Sequence, residues 1–228
     1  MLYTPGPTAV PPEVREAMAR QQPNSAVQPE FTELYNQLCA NLETVYDTDH
    51  DVIVPGGEGI LGLEAAIASV VAPGDRVLCI SNGIYGDGFA DFVDSYDGNP
   101  ELVSAPYDEG YDLDAIENTL DEAAAQNNQF LAATLVHCET PTGTLNDLDP
   151  VLDLLDEYDV LSIVDAVSSL GGTPVPTDRI VSTTVRVRCV SNPSYSRIAS
   201  GRPRYSQHCN TSPTDRETSF QVRSVSRI

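Results

Sequence analysis

The chain has 228 residues and a formal net charge of −22, and all 12 of its basic residues are arginine, so it contains no lysine at all. Such an acid excess argues against a nucleic acid or an anionic membrane as partner for the body of the chain, because phosphate and anionic headgroups would be repelled. The charge also changes sign along the sequence: three arginines oppose 32 acids up to Asp178 (net −29), and nine oppose two from Arg179 onward (net +7), which predicts a boundary between those residues.

In chain order, Glu30–Tyr46 has helical spacing, with Phe31, Leu34, Tyr35, Leu38 and Leu42 on one face. Val52-Ile53-Val54 reads as a strand running into Pro55-Gly56-Gly57, and Leu61–Val71 as a small-residue helix stopped by Pro73-Gly74. A strand over Val77–Ile80 and a helix over Tyr85–Tyr96 follow, then a weaker strand over Glu101–Ser104. Asp112 introduces an alanine-rich helix over Leu113–Gln126. Phe130–His137 reads as a buried strand, Leu148–Tyr158 as a helix and Val160–Val164 as another strand. Strand and helix alternating in this way predict an α/β fold, a mostly parallel sheet with helices on both faces. Ligands of such sheets gather beyond the carboxyl ends of the strands, which directs attention to Pro55–Gly59, Ser81–Gly83, His137–Gly143 and Asp165–Ser169. Past Asp178 no helical period is sustained. Val181–Val190 could form a strand, but the composition of Arg179–Ile228 is that of a disordered Arg/Ser-rich tail.

Five scattered cysteines (Cys39, Cys79, Cys138, Cys189, Cys209), without CxxC spacing, suggest neither a zinc site nor a disulfide framework. Residues 1–7 carry proline and glycine where a secretory leader would be apolar, and no apolar stretch approaches a membrane span. A cytoplasmic protein is expected. Extreme acidity without lysine suits a halophile, where strong salt screens self-repulsion; an acidic protein of an ordinary cell is the alternative.

Gly57-Glu58-Gly59-Ile60-Leu61-Gly62 follows a predicted strand and opens a helix, spelling GxGxxG. Glycines there let the backbone approach a phosphate, and the helix start offers free N–H groups. A dinucleotide site would also want an acid at the end of the next strand, where Ser81-Asn82-Gly83 stands instead, so phosphate is expected and NAD is not. A helix that needs small residues merely to pack is the plainer reading. Asp165 ends a buried strand, where a carboxylate is costly unless it meets a cation or donors. A protonated pyridine nitrogen is one such cation; a structural cap for the next segment is the alternative. Tyr85 stands just beyond a strand end, where it could stack on a flat ring or simply fill the core. His137-Cys138-Glu139 resembles a metal-ligand run or a Cys–His pair, but neighbours on a strand point to opposite faces, so neither is expected. Thr140, in the turn that follows, could donate to a ligand oxygen.

Taken together, residues 2 to about 178 resemble the class V, fold type I pyridoxal-phosphate aminotransferases, in the branch of the alanine–glyoxylate, serine–pyruvate and pyridoxamine–pyruvate enzymes. The anchors are Pro5-Gly6-Pro7-Thr8, Pro29-Glu30-Phe31, Gly59–Ala65, Pro73-Gly74-Asp75-Arg76, Asn82-Gly83-Ile84-Tyr85-Gly86, Glu139-Thr140-Pro141-Thr142-Gly143 and Val164-Asp165-Ala166-Val167-Ser168-Ser169. The resemblance implies that pyridoxal 5'-phosphate meets Asp165 at its pyridine nitrogen, Tyr85 on its ring face and Thr140 at its ring hydroxyl. The turn Glu58-Gly59-Ile60 would lie at the phosphate, and Ser168 would also be a cofactor-binding residue. Glu58 departs from the family's Ser or Thr hydroxyls near that glycine. The resemblance further implies amino transfer between a small amino acid and a 2-oxo acid such as glyoxylate or pyruvate, in a homodimer.

The family's Schiff-base lysine, expected some twenty-odd residues after the Asp165 motif, has no counterpart here, and neither has the small C-terminal domain. Residues 1–178 thus read as an incomplete large domain with no catalytic lysine, unable to attach the cofactor covalently. A frameshift in a GC-rich gene would give the composition of Arg179–Ile228, and Val181-Ser182-Thr183-Thr184-Val185 can be back-translated and shifted to Leu-Asp-Tyr-Cys. The rival is a genuine basic tail that folds on the acidic body or binds nucleic acid.

Overall fold

The computed structural model describes residues 9–57 and 59–182. Its centre is a five-stranded, wholly parallel sheet built from β1 (Arg76–Ser81), β2 (Asn99–Ser104), β3 (Ala132–Val136), β6 (Leu161–Asp165) and β7 (Val181–Ser182), in the order β2-β1-β3-β6-β7. A two-stranded antiparallel hairpin, β4 (Cys138–Glu139) and β5 (Thr144–Leu145), follows β3 directly. The helices are α1 (Pro12–Met18), α2 (Pro29–Tyr46), α3 (Gly59–Val70), α4 (Ile84–Ser95), α5 (Leu113–Ala125) and α6 (Asp149–Glu157).

Strand residues alternate between the two faces, and each face buries its own core. Val77, Cys79, Ala132, Val136 and Ile163 pack with Leu63, Ala66 and Ile67 of α3 and Phe89 and Val93 of α4. Leu78, Ile80, Ala133, Leu135 and Val164 pack on the other face with Ile116 and Leu120 of α5 and Val151, Leu152 and Leu155 of α6. Helices therefore cover both faces of a parallel sheet, as the alternation of elements predicts. Helix ends carry their own signals: Asp112 accepts the Ala115 N–H at 3.0 Å as the N-cap of α5. Asp97, Asn127 and Asp159 adopt left-handed backbone just past α4, α5 and α6.

Several elements differ from the sequence reading. Val52–Val54 forms no strand: the Val54 N–H donates to the Tyr35 hydroxyl at 3.0 Å rather than to a neighbouring strand. Helix α1, not expected, begins with Pro12 and Glu13 in its first turn, a start suited to the missing proline N–H and the helix dipole. The charge boundary at 178/179 is not where the packed body stops. Ile180 is buried, Val181–Ser182 pairs with β6, and Arg179 reaches Asp153 and Asp156 of α6 at 2.8 Å each. The expectations for Thr183–Ile228, including a strand as far as Val190, lie outside the described residues. No helix among the described residues is long and apolar enough to cross a membrane.

Candidate functional site

The sheet order reverses direction around β1 and β3, because the chain leaves β1 toward β2 on one side and returns to β3 on the other. The β1–β3 ladder is registered only from Val77–Ala132 to Cys79–Thr134, so the carboxyl ends of the two strands part. Val136 would be left with unpaired backbone groups. The Tyr111 hydroxyl donates to the Val136 carbonyl at 2.7 Å and accepts from its N–H at 2.8 Å. The Asn146 amide adds a second donor to that carbonyl at 2.8 Å. Asn146 and Asn82 also pair amide to amide, at 2.8 and 3.1 Å, and bridge the opening below its mouth. This hydrogen-bonded polar layer spans the parted strand ends at the point where α/β sheets bind ligands.

Around the mouth the predicted residues converge. Asp165 ends β6 with 6% of its surface exposed, and one of its carboxylate oxygens accepts the Val167 N–H at 2.8 Å. The Thr140 hydroxyl, in the hairpin turn after β4, bonds the Ser168 hydroxyl in the turn after β6. Gly59, at the start of α3, lies beside Val167, whose Cγ2 would be 3.8 Å from a β-carbon on Gly59. Tyr85 stands in the first turn of α4 and is 43% exposed, and Ile60 and Val167 are exposed as well. Asp165, Thr140, Ser168, Gly59 and Tyr85 thus gather from four separate elements. Glu58 lies outside the described residues.

Glu139 was not among the expected binding residues, yet it is fully buried at this site. Its carboxylate accepts the Tyr85 N–H at 3.3 Å and the Gly86 N–H at 3.4 Å. Burial, with the nearby charges of Asp165 and Asp87, outweighs those two bonds and raises its pKa. A glutamate at a strand end, facing a turn with glycines on both sides of an aromatic, is the signal that could have found it. The Cys138 thiol is pushed up by burial first and then by the Glu139 and Asp165 charges, which suits it poorly to nucleophilic work. His137 is buried with Nδ1 lacking a hydrogen-bond partner, and burial lowers its pKa. Among the described residues no cluster of three His, Cys, Asp or Glu is placed to hold a metal.

A doubly wound α/β domain is defined by these features, with an acid-tipped, hydroxyl-lined cleft at its switch point and a glycine-led helix start on its rim. The sequence model of the family Aminotransferase class I and II matches residues 5–173. An uncharacterized aminotransferase of Methanocaldococcus jannaschii is 32% identical over 85% of this chain and 50% of its own length. A pyridoxamine–pyruvate transaminase of Mesorhizobium japonicum is 32% identical over 74% of this chain and 42% of its own. The crystal structure of an alanine–glyoxylate aminotransferase from Nostoc sp. superposes with a TM-score of 0.70 at 32% identity, over 77% of this chain and 45% of that one. The chain belongs to the fold type I pyridoxal-phosphate-dependent aminotransferases, in their class V branch. It spans about half the length of the curated relatives it matches.

The site's donor set fits the family's cofactor. A nearly buried carboxylate at a strand tip asks for a cationic N–H, paired hydroxyls suit a ring oxygen, and an exposed tyrosine offers a flat face. The absence of any lysine from the sequence leaves no side-chain amine for covalent attachment.

Proposed function

We propose that this chain forms the cofactor-holding wall of a class V aminotransferase, and that the 228 residues bind pyridoxal 5'-phosphate without a covalent link. The parent reaction is amino transfer between a small amino acid and a 2-oxo acid such as glyoxylate or pyruvate. Bound at this site, the cofactor would supply an electron sink for carbanion chemistry. The chain's own residues hold it. Asp165 would keep a proton on the ring nitrogen, Tyr85 would cover one ring face, and Thr140 with Ser168 would hydrogen-bond the ring hydroxyl. The backbone N–H groups at Gly59 and Ile60 would be offered to the phosphate. No residue of the chain can take the lysine's part as covalent anchor and proton carrier, so the chain by itself does not turn over. The observation that carries this reading is the run of contacts from the Tyr85 N–H to Glu139, from the adjoining Thr140 to Ser168, and from the Val167 N–H to Asp165.

The parent assembly is proposed to be a homodimer, for which α1 and α2 supply apolar surface in Val14, Met18, Leu34, Leu38 and Val45, all exposed. Cytoplasmic residence is proposed in keeping with three unpaired cysteines among the described residues. The basic segment Arg179–Ile228 is proposed to be an out-of-frame sequence without function, which resequencing the gene through that region tests directly.

The binding test is an absorbance titration of the 228-residue chain with pyridoxal 5'-phosphate, followed by borohydride and peptide mass mapping. Saturable binding without a reduced adduct on any side chain is expected. Asp165→Asn should weaken binding about tenfold or more, as loss of a charge-assisted bond does. Failure to saturate, or a mapped side-chain adduct, would remove the reading.

A further inference from the structure

Glu139 presents an imbalance that the cleft's ligand chemistry does not explain. A fully buried carboxylate carries a desolvation cost, and an apolar side chain of similar volume would fill the space between β4 and α4 without it. Its two acceptor oxygens meet the Tyr85 and Gly86 N–H groups, which are free donors in the first turn of α4. The helix has no other side-chain cap there. The fit depends on Gly83. A β-carbon at that residue would lie 2.2 Å from Cγ and 2.3 Å from Cδ of Glu139, so only glycine leaves the slot that the carboxylate occupies. The far side of the turn is held as well: Ser81 and Tyr107 donate to the two oxygens of Asp87 at 2.6 and 2.7 Å.

Tyr85 is 43% exposed, and its backbone N–H is bonded to the Glu139 carboxylate, so a change at Glu139 reaches the tyrosine through its backbone. We propose that Glu139 is a positioning residue: its carboxylate clamps the first turn of α4 and thereby fixes the Tyr85 ring over the cleft. The adjoining Thr140 is bonded to Ser168, so the pair Glu139–Thr140 ties the tyrosine turn to the tip of β6. This rests on the reading of Tyr85 as the residue that covers the cofactor ring.

The experiment is a double-mutant cycle on the full 228-residue chain, with Glu139→Gln, Tyr85→Ala and both together, read as the dissociation constant for pyridoxal 5'-phosphate. Amide hydrogen exchange at residues 85 and 86 is measured on the same ligand-free proteins. The glutamine variant keeps the side chain's shape but turns an N–H group toward one of the two donors. It should weaken binding about tenfold, and this loss should vanish in the Tyr85→Ala background, because the clamp then has no ring to place. Exchange at the two amides should quicken in Glu139→Gln. An equal loss in both backgrounds, or no loss at all, would overturn the proposal, since Glu139 would then act otherwise than through Tyr85. If the wild-type chain binds no cofactor, the functional reading fails on its own. The clamp is then decided by exchange alone, upheld if it quickens and overturned if it does not.

Discussion

His137 shows how a single side chain can tie the site to pH. It sits between β3 and β4, buried, with Nδ1 lacking a hydrogen-bond partner, and burial holds its pKa below the ordinary histidine value against the opposing pull of Asp147. The folded state therefore binds fewer protons at this residue than the unfolded state does. The stability this confers is fully present above the unfolded pKa of about 6.5 and is lost as pH falls through the folded pKa. Thermal unfolding should show a lower midpoint at about pH 5.5 than at about pH 7, and His137→Phe should flatten that difference. An unchanged slope in the variant would show that other groups set the acid limb. Glu139 carries the opposite sign, because a raised carboxylate pKa costs stability as pH rises, so the comparison of wild type with variant is what isolates His137. Asp165, Tyr85 and Thr140 were legible as candidates because each stands just past a strand in the sequence. Glu139 was not, because its meaning lies in an empty slot at Gly83, 56 positions earlier in the chain.

At the scale of elements, helix ends were legible and strand partners were not. The sequence limits Tyr96, Gln126 and Tyr158 coincide with the C-caps of α4, α5 and α6, because an Asp or Asn able to turn left-handed follows each. Val52–Val54 has the residues of a strand but no neighbour to pair with, which periodicity cannot reveal. The short hairpin β4–β5 was hidden within a single motif, its turn made by Gly143 at φ 73°. The packing of α4 on β1 permits a direct test. A β-carbon on Gly86 would lie 2.6 Å from Oγ and 2.9 Å from Cα of Ser81, and the second contact is with backbone that cannot swing aside. Gly86→Ala should therefore cost about 1–3 kcal/mol in chemical unfolding, despite alanine's better helix propensity. A stabilised variant would mean that α4 has room to lift from the sheet. Displacing α4 would also carry Tyr85 away from the cleft, so cofactor affinity should fall together with stability.

For the whole molecule, the sheet order β2-β1-β3-β6-β7 and hence the position of the cleft could not be read from residue patterns alone, since pairing is set by contacts distant in sequence. Charge was legible at once, and it has a physical consequence. Up to Asp178 the chain carries 32 acids against three arginines, so compaction brings like charges together at a density that the unfolded chain avoids. The ion pairs that oppose this, Arg76 with Glu101 and Arg179 with the α6 acids, are partly exposed and contribute little individually. Repulsion should dominate the salt response. Screening shortens the reach of exposed charges from about 10 Å at 0.1 M to about 3 Å at 1 M. The unfolding midpoint should therefore climb with potassium chloride across that range, most steeply at its lower end. Chloride is the right salt, because sulfate strengthens apolar burial in any protein and would raise the midpoint without regard to charge. A midpoint that stays flat or falls with potassium chloride would mean that the acids are spaced or paired well enough to leave no net repulsion. A rise that levels off near 1 M would be the mark of screening, and it would explain how a body this acidic stays folded with two of its carboxylates, Glu139 and Asp165, buried.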